Sequence, residues 1–301
     1  MGTPQFAVAS LEILYNAGYD IVGVITSVDK MGGRGRKTVI ESAVKKFAVE
    51  KGLNILQPKN LKSPKFNEEL KALNADLQIV VAFRMLPKVV WNMPKLGTYN
   101  LHGSLLPQYR GAAPINWAVI NGETTTGVTT FKLKQEIDTG SILMQKEIPI
   151  YQSDNATDVH DRMMYVGADL VLESVKKIKK GDITLKEQDD TETSHAPKLN
   201  KENTLIDFRQ DTVSVYNFIR GLSLYPGAWF KIGKNTAKIF KAEIELEEHN
   251  LQSGKLISDN KKYIKVACLD GYINIVDIQI SGKRKMAVNE LLNGFDINPF
   301  I

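Results

Sequence analysis

Cysteine is almost absent from this chain: Cys268 is the single example in 301 residues. One thiol forms no internal disulfide, and with only four histidines no Cys/His spacing marks a zinc site. No apolar run approaches the roughly 20 residues needed to cross a bilayer. The opening residues do not read as a secretory leader. These absences point to a reduced, cytoplasmic setting with no membrane partner and no metal. In that setting the sequon Asn155-Ala156-Thr157 is a chance match. Strong charge of one sign is also lacking, since a net charge of +5 permits an anionic partner without requiring one.

What is present is an ordinary soluble composition, 43% hydrophobic and 24% charged, in a chain long enough for two domains. The stretch from Asn100 to Asp138 is its chemical centre. It contains Asn100-Leu101-His102-Gly103-Ser104-Leu105-Leu106-Pro107, then Tyr109-Arg110-Gly111-Ala112-Ala113-Pro114, and ends at Asp138-Thr139-Gly140. Asn100 and His102 sit two apart at the end of a short strand expected over 97–101, so alternation sends both to one face. Strand ends in open α/β sheets are where ligands bind. An amide, an imidazole and a later carboxylate there form a plausible acyl-transfer set. Asp138-Thr139-Gly140 also matches an aspartic-protease triplet. That chemistry needs two carboxylates in an all-β fold, which the helix–strand alternation opposes.

In chain order, Gly2-Thr3-Pro4 turns into a helix over about 7–17, and Ile21–Thr26 reads as a buried strand. A domain of this class normally places an apolar strand before such a turn. The sequence starts inside the turn, and loss of a central strand is the expectation. A helix is expected near 40–51, a strand at 54–57, a helix near 65–73 and a strong strand over 77–83. Strands at 127–133 and 142–150, with an antiparallel edge, precede one long amphipathic helix over 158–180. Apolar periodicity stops in the polar run 188–204, the expected linker. A helix near 213–222 and five short strands from Ala228 to Ile280 complete the chain. The resulting fold class is α/β: a doubly wound, mostly parallel Rossmann-like sheet, followed by a small C-terminal OB-like β-barrel.

Between the first strand and the second helix lies Asp29-Lys30-Met31-Gly32-Gly33-Arg34-Gly35-Arg36-Lys37. Its glycine spacing fits neither the dinucleotide fingerprint nor the P-loop. It reads as a mobile basic loop, either simply solvated or able to wrap phosphates with Arg34, Arg36 and Lys37. Tyr225-Pro226-Gly227-Ala228-Trp229 is expected to pack onto the barrel as a turn, with an RNA-stacking surface as the alternative.

The block Ser104-Leu105-Leu106-Pro107-x-Tyr109-Arg110-Gly111-Ala112-Ala113-Pro114 resembles that of the methionyl-tRNA formyltransferases. The likeness extends over essentially the whole chain through Gly2-Thr3-Pro4, Gly33-Arg34-Gly35, Gln57-Pro58, Asn100-x-His102, Asp138-Thr139-Gly140, Ala196-Pro197-Lys198 and Tyr225-Pro226-Gly227-Ala228. The segment Ala82–Pro87, which flanks the pterin pocket in that family, is shorter and more basic here than its usual form.

The resemblance implies 10-formyltetrahydrofolate as donor and initiator methionyl-tRNA as acceptor. It implies Asn100, His102 and Asp138 as the catalytic trio, with folate held by Ser104, Leu105, Leu106 and Pro107. Asn100 and His102 suit an oxyanion, and Asp138 either orients His102 or relays a proton. The expected domains are a catalytic one over 1–187 and a tRNA-binding one over 205–301, in a monomer. Two alternatives stay open: formylation of a sugar-nucleotide or other small amine, and a non-catalytic RNA-binding protein.

Overall fold

The computed structural model describes residues 1–32, 35 and 37–298. They form two compact units. The first comprises 1–111, 127–148 and 160–195; the second comprises 112–126, 149–159 and 196–301.

In the first unit, strand Gln78–Val81 pairs in parallel with Thr98–His102, which pairs antiparallel with Thr125–Lys132. Ile142–Pro149 completes this four-stranded sheet beyond Thr125–Lys132. Val24–Ile25 and Ile55–Leu56 form a second, parallel pair. Met1 and Gly2 occupy the place where a central strand is expected. The Gly2 amide donates to the Ile25 carbonyl at 3.0 Å, and the Val81 amide donates to the Met1 carbonyl at 2.9 Å. The sheet is thus mostly parallel with an antiparallel edge, as read from the sequence.

The helix expected near 40–51 begins later, at Ala43, because Ser42 caps it by accepting the Lys45 amide at 3.0 Å. Ile40 belongs instead to a hairpin in which Lys30–Gly32 pairs antiparallel with Thr38–Ile40. The basic segment that reads as a plain loop is therefore stemmed by two short strands. Their Met31, Val39 and Ile40 side chains are exposed, which is why no buried-strand pattern announces them.

The long helix Ala156–Lys180 places Val159, Met163, Leu170 and Ile178 in the core, each 4% exposed or less. Gly167 brings it close to the site strand, since a Cβ there would stand 2.8 Å from Leu101 Cδ2. Lys177, Lys179 and Lys180 in its last turn face the negative end of its dipole.

The second unit is built on a curled antiparallel sheet in the order Ala228–Ile232, Asn235–Leu246, Gly271–Ile280, Ile264–Ala267, Leu256–Ser258, with Met286–Ala287 pairing Gly271–Ile280. This is the OB-like element. A register shift around Lys241 bends the longest strand. Ile239, Ile264, Ile273 and Ile278, all fully buried, fill its interior beneath helix Thr212–Leu222. Asp211 caps that helix through the Ser214 amide at 2.8 Å.

Helix Pro114–Ile120 packs on the same helix: Asn116 Nδ2 donates to the Gly221 carbonyl at 2.8 Å, and a Cβ on Gly221 would meet Ile120 Cγ1 at 2.6 Å. The central stretch of the sequence is thereby divided, with 100–111 and 127–138 in one unit and 112–126 in the other. Where the turn before the sheet enters it, Ala228 is buried and the Trp229 indole donates to the Lys201 carbonyl at 2.8 Å. Tyr225 is 86% exposed, so the turn packs through its second half and leaves the tyrosine outside.

Candidate active site

Strand Thr98–His102 carries Asn100 half-buried and ends on His102, which is 6% exposed. Its flanking residues Tyr99 and Leu101 are buried on the opposite face, so alternation aims Asn100 and His102 together. The Asn100 amide has no hydrogen-bond partner among the described residues.

His102 is held at both ring nitrogens. Nε2 lies 2.9 Å from the Tyr109 carbonyl oxygen, and Nδ1 lies 3.7 Å from Asp138 Oδ2. A carbonyl only accepts, so Nε2 carries the proton and Nδ1 faces the carboxylate. At 3.7 Å that pair is too long for a hydrogen bond but close enough for strong attraction once the ring is charged. Tyr109 reaches this place from the left-handed region, φ 58°, with its own amide donating to Ser194 Oγ at 2.8 Å.

Asp138 is also left-handed, φ 56°. Its Oδ2 accepts the Gly111 amide at 3.0 Å, and its side chain is 13% exposed. His102 and Asp138, thirty-six positions apart in the sequence, are brought side by side by the fold.

The strap 104–107 is tied down from below. Thr129 Oγ1 donates to the Ser104 carbonyl at 2.7 Å and accepts the Leu106 amide at 3.1 Å. Gln145 Nε2 donates to the Leu106 carbonyl at 2.9 Å and to Thr129 Oγ1 at 3.0 Å. Ser104 is fully buried and its hydroxyl donates to the Gln108 carbonyl at 2.6 Å. Leu106 packs with Phe131 and Ile142, while Leu105 and Pro107 are half-buried. Thr129 and Gln145 carry no motif of their own, and nothing in the sequence marks them.

Among the basic-segment residues, Lys37 is exposed, whereas Arg34 and Arg36 lie outside the described residues. Among the described residues no cluster of three His, Cys, Asp or Glu side chains is placed to hold a metal. No described helix is long and apolar enough to cross a membrane.

Residues 1–175 match the formyl transferase family, and residues 198–296 match the family described as formyl transferase, C-terminal domain. The chain is 53% identical to the methionyl-tRNA formyltransferase of Parabacteroides distasonis, covering 98% of this chain and 94% of that one. It is likewise 53% identical to that of Flavobacterium johnsoniae, with the same coverage of both. Its fold is similar to an N-formyltransferase from Helicobacter canadensis in complex with folinic acid and dTDP-3-aminofucose. That likeness has a TM-score of 0.68 at 22% identity and covers 91% of this chain and 96% of the other. With half its residues shared along nearly the full length, and both family regions in order, the chain belongs to the methionyl-tRNA formyltransferase family.

Proposed function

We propose that the chain transfers the formyl group of 10-formyltetrahydrofolate to the α-amine of initiator methionyl-tRNA. One observation carries this reading: about half of the residues match enzymes named for that reaction over nearly the whole length. The likeness to sugar N-formyltransferases, at 22% identity, supports the fold alone.

In this reading the amine attacks the formyl carbon, a new C–N bond forms, and the bond from carbon to folate N10 breaks. The Asn100 amide, which has no hydrogen-bond partner among the described residues, donates to the developing oxyanion. A donor of this kind is worth about 2.7–4 kcal/mol of barrier. The His102–Asp138 pair collects the amine proton: Nδ1 is the ring atom turned toward the carboxylate, and the Tyr109 carbonyl fixes the tautomer that leaves Nδ1 free to accept. The proton is finally delivered to folate N10 as that bond breaks. No side chain forms a covalent intermediate.

Of the strap residues, the half-buried Leu105 and Pro107 are available to touch the donor, while Ser104 and Leu106 shape the strap from inside. Arg34, Arg36 and Lys37 contact tRNA phosphates. Residues 1–187 carry the chemistry, 205–301 bind tRNA, and 188–204 link the two. The protein works as a cytoplasmic monomer. The direct test is formation of formylmethionyl-tRNA from the purified chain, the folate donor and charged initiator tRNA; no product with active substrates would reject the reading.

A further inference from the structure

Gln188 opens the polar run that the sequence presents as a linker, yet its side chain is fully used. Its Nε2 donates to the carbonyl oxygens of both Asp138 and Gly140, each at 2.8 Å. Its Oε1 accepts from Arg110 Nε at 2.9 Å and from Arg110 Nη2 at 2.7 Å. Arg110 is 9% exposed and pairs outward with Asp190 Oδ1 at 2.8 Å.

The contact continues along the chain. Ile142 and Lys186 exchange main-chain hydrogen bonds of 2.7 and 2.9 Å, and Ser141 donates to Glu187 Oε1 at 2.7 Å. Residues 186–188 therefore run against 138–142 like a short strand. The Glu187 carboxyl is held below its ordinary range, first by Lys134 and then by Ser141.

The arrangement addresses a local problem. Asp138 adopts φ 56°, a conformation a non-glycine residue holds only when its surroundings enforce it. Its carboxylate must nevertheless keep one direction, toward His102 Nδ1. Two carbonyl acceptors on either side of Thr139, bound by a single amide nitrogen, fix the turn from behind. The buried guanidinium fixes that amide in turn, since a planar fork leaves its acceptor only one orientation.

We propose that Gln188 is a positioning residue for formyl transfer, acting through Asp138 and itself oriented by Arg110. This rests on the reading of Asp138 as part of the catalytic trio. The Gln188 side chain is spent on protein groups, so its loss should misplace the carboxylate without weakening substrate binding.

The test combines Gln188→Ala, Gln188→Glu, Asp138→Ala and the double variant Asp138→Ala/Gln188→Ala, with steady-state kinetics for both substrates and thermal melts. Gln188→Ala should lower kcat about tenfold to a hundredfold, the effect of a displacement of about 1 Å at a reacting group. KM for the folate and the tRNA should stay within about twofold. Gln188→Glu preserves an acceptor for Arg110, which keeps the guanidinium paired and the fold intact. It removes both donors to the carbonyls, so it should lose kcat as Gln188→Ala does. In the Asp138→Ala background, Gln188→Ala should cost nothing more, because the residue through which it acts is gone.

Full kcat in either Gln188 variant, or a multiplicative loss in the double variant, would overturn the proposal while leaving the trio in place. Near-normal turnover of Asp138→Ala would overturn the catalytic reading itself, and this proposal with it.

Discussion

The backbone of Gly140 lies so close to that of Lys132 that a Cβ built on it would collide with the Lys132 carbonyl oxygen and stand 2.8 Å from Phe131 Cδ2. Gly140 ends the Asp138 turn, and this close approach sets how deeply the turn sits against strand Thr125–Lys132. Gly140→Ala should destabilise the protein by about 1–3 kcal/mol, the usual range for overpacking. It should also lower turnover, because the turn must lift and carry Asp138 with it. Denaturant unfolding and initial rates check both effects; an unchanged midpoint would show that the turn yields freely.

His102→Ala and Asp138→Ala should each lower kcat by at least about a hundredfold while leaving the circular dichroism spectrum unchanged. His102→Ala removes the ring that lies between the Tyr109 carbonyl and Asp138; Asp138→Ala leaves Nδ1 without its carboxylate. Near-normal turnover in either variant would mean the site has been misassigned.

How much of the molecule is readable from its sequence differs residue by residue. Asn100 and His102 are legible because strand alternation is local: two positions apart at a strand end fixes a shared face before any tertiary contact forms. Asp138 is legible only jointly with the Ser104–Pro107 block. Gln188 is not, because its role depends on residues 48 and more positions away, and one glutamine in a polar run has no periodicity to betray it. The strand pair Lys30–Gly32 with Thr38–Ile40 escapes the sequence for a different reason. Its stems are three residues long and expose their apolar side chains, so they show no buried face. Five of the six strands of the C-terminal sheet are legible in order because they bury one face over a single core, whereas Met286–Ala287 is only two residues long and carries no pattern.

The basic segment should set the salt dependence of tRNA use. Arg34→Ala with Arg36→Ala should raise KM for tRNA and reduce the salt slope of its affinity by about one for each phosphate no longer neutralised. KM for the folate should barely move. Unchanged tRNA kinetics at every salt concentration would leave this segment as solvated surface.

Cys268 is fully buried, and desolvation, reinforced by the Asp270 charge, pushes its thiol up to about 12. The group is therefore a protonated thiol across the neutral range, and protonated thiols are poor nucleophiles. A disulfide reagent should find no reactive thiol in the folded protein at about pH 7 to 9 and one after denaturation. Rapid modification of the native protein would contradict the burial on which this rests.

Transfer to tRNA and transfer to a sugar differ in the acceptor. The most direct measurement compares initial rates of formyl transfer from 10-formyltetrahydrofolate to charged initiator methionyl-tRNA and to an amino-sugar nucleotide, using one preparation of the full chain. Formylmethionyl-tRNA should form with a kcat/KM at least about a thousandfold above that for the sugar. Formylation of the sugar nucleotide with methionyl-tRNA left unmodified would contradict it.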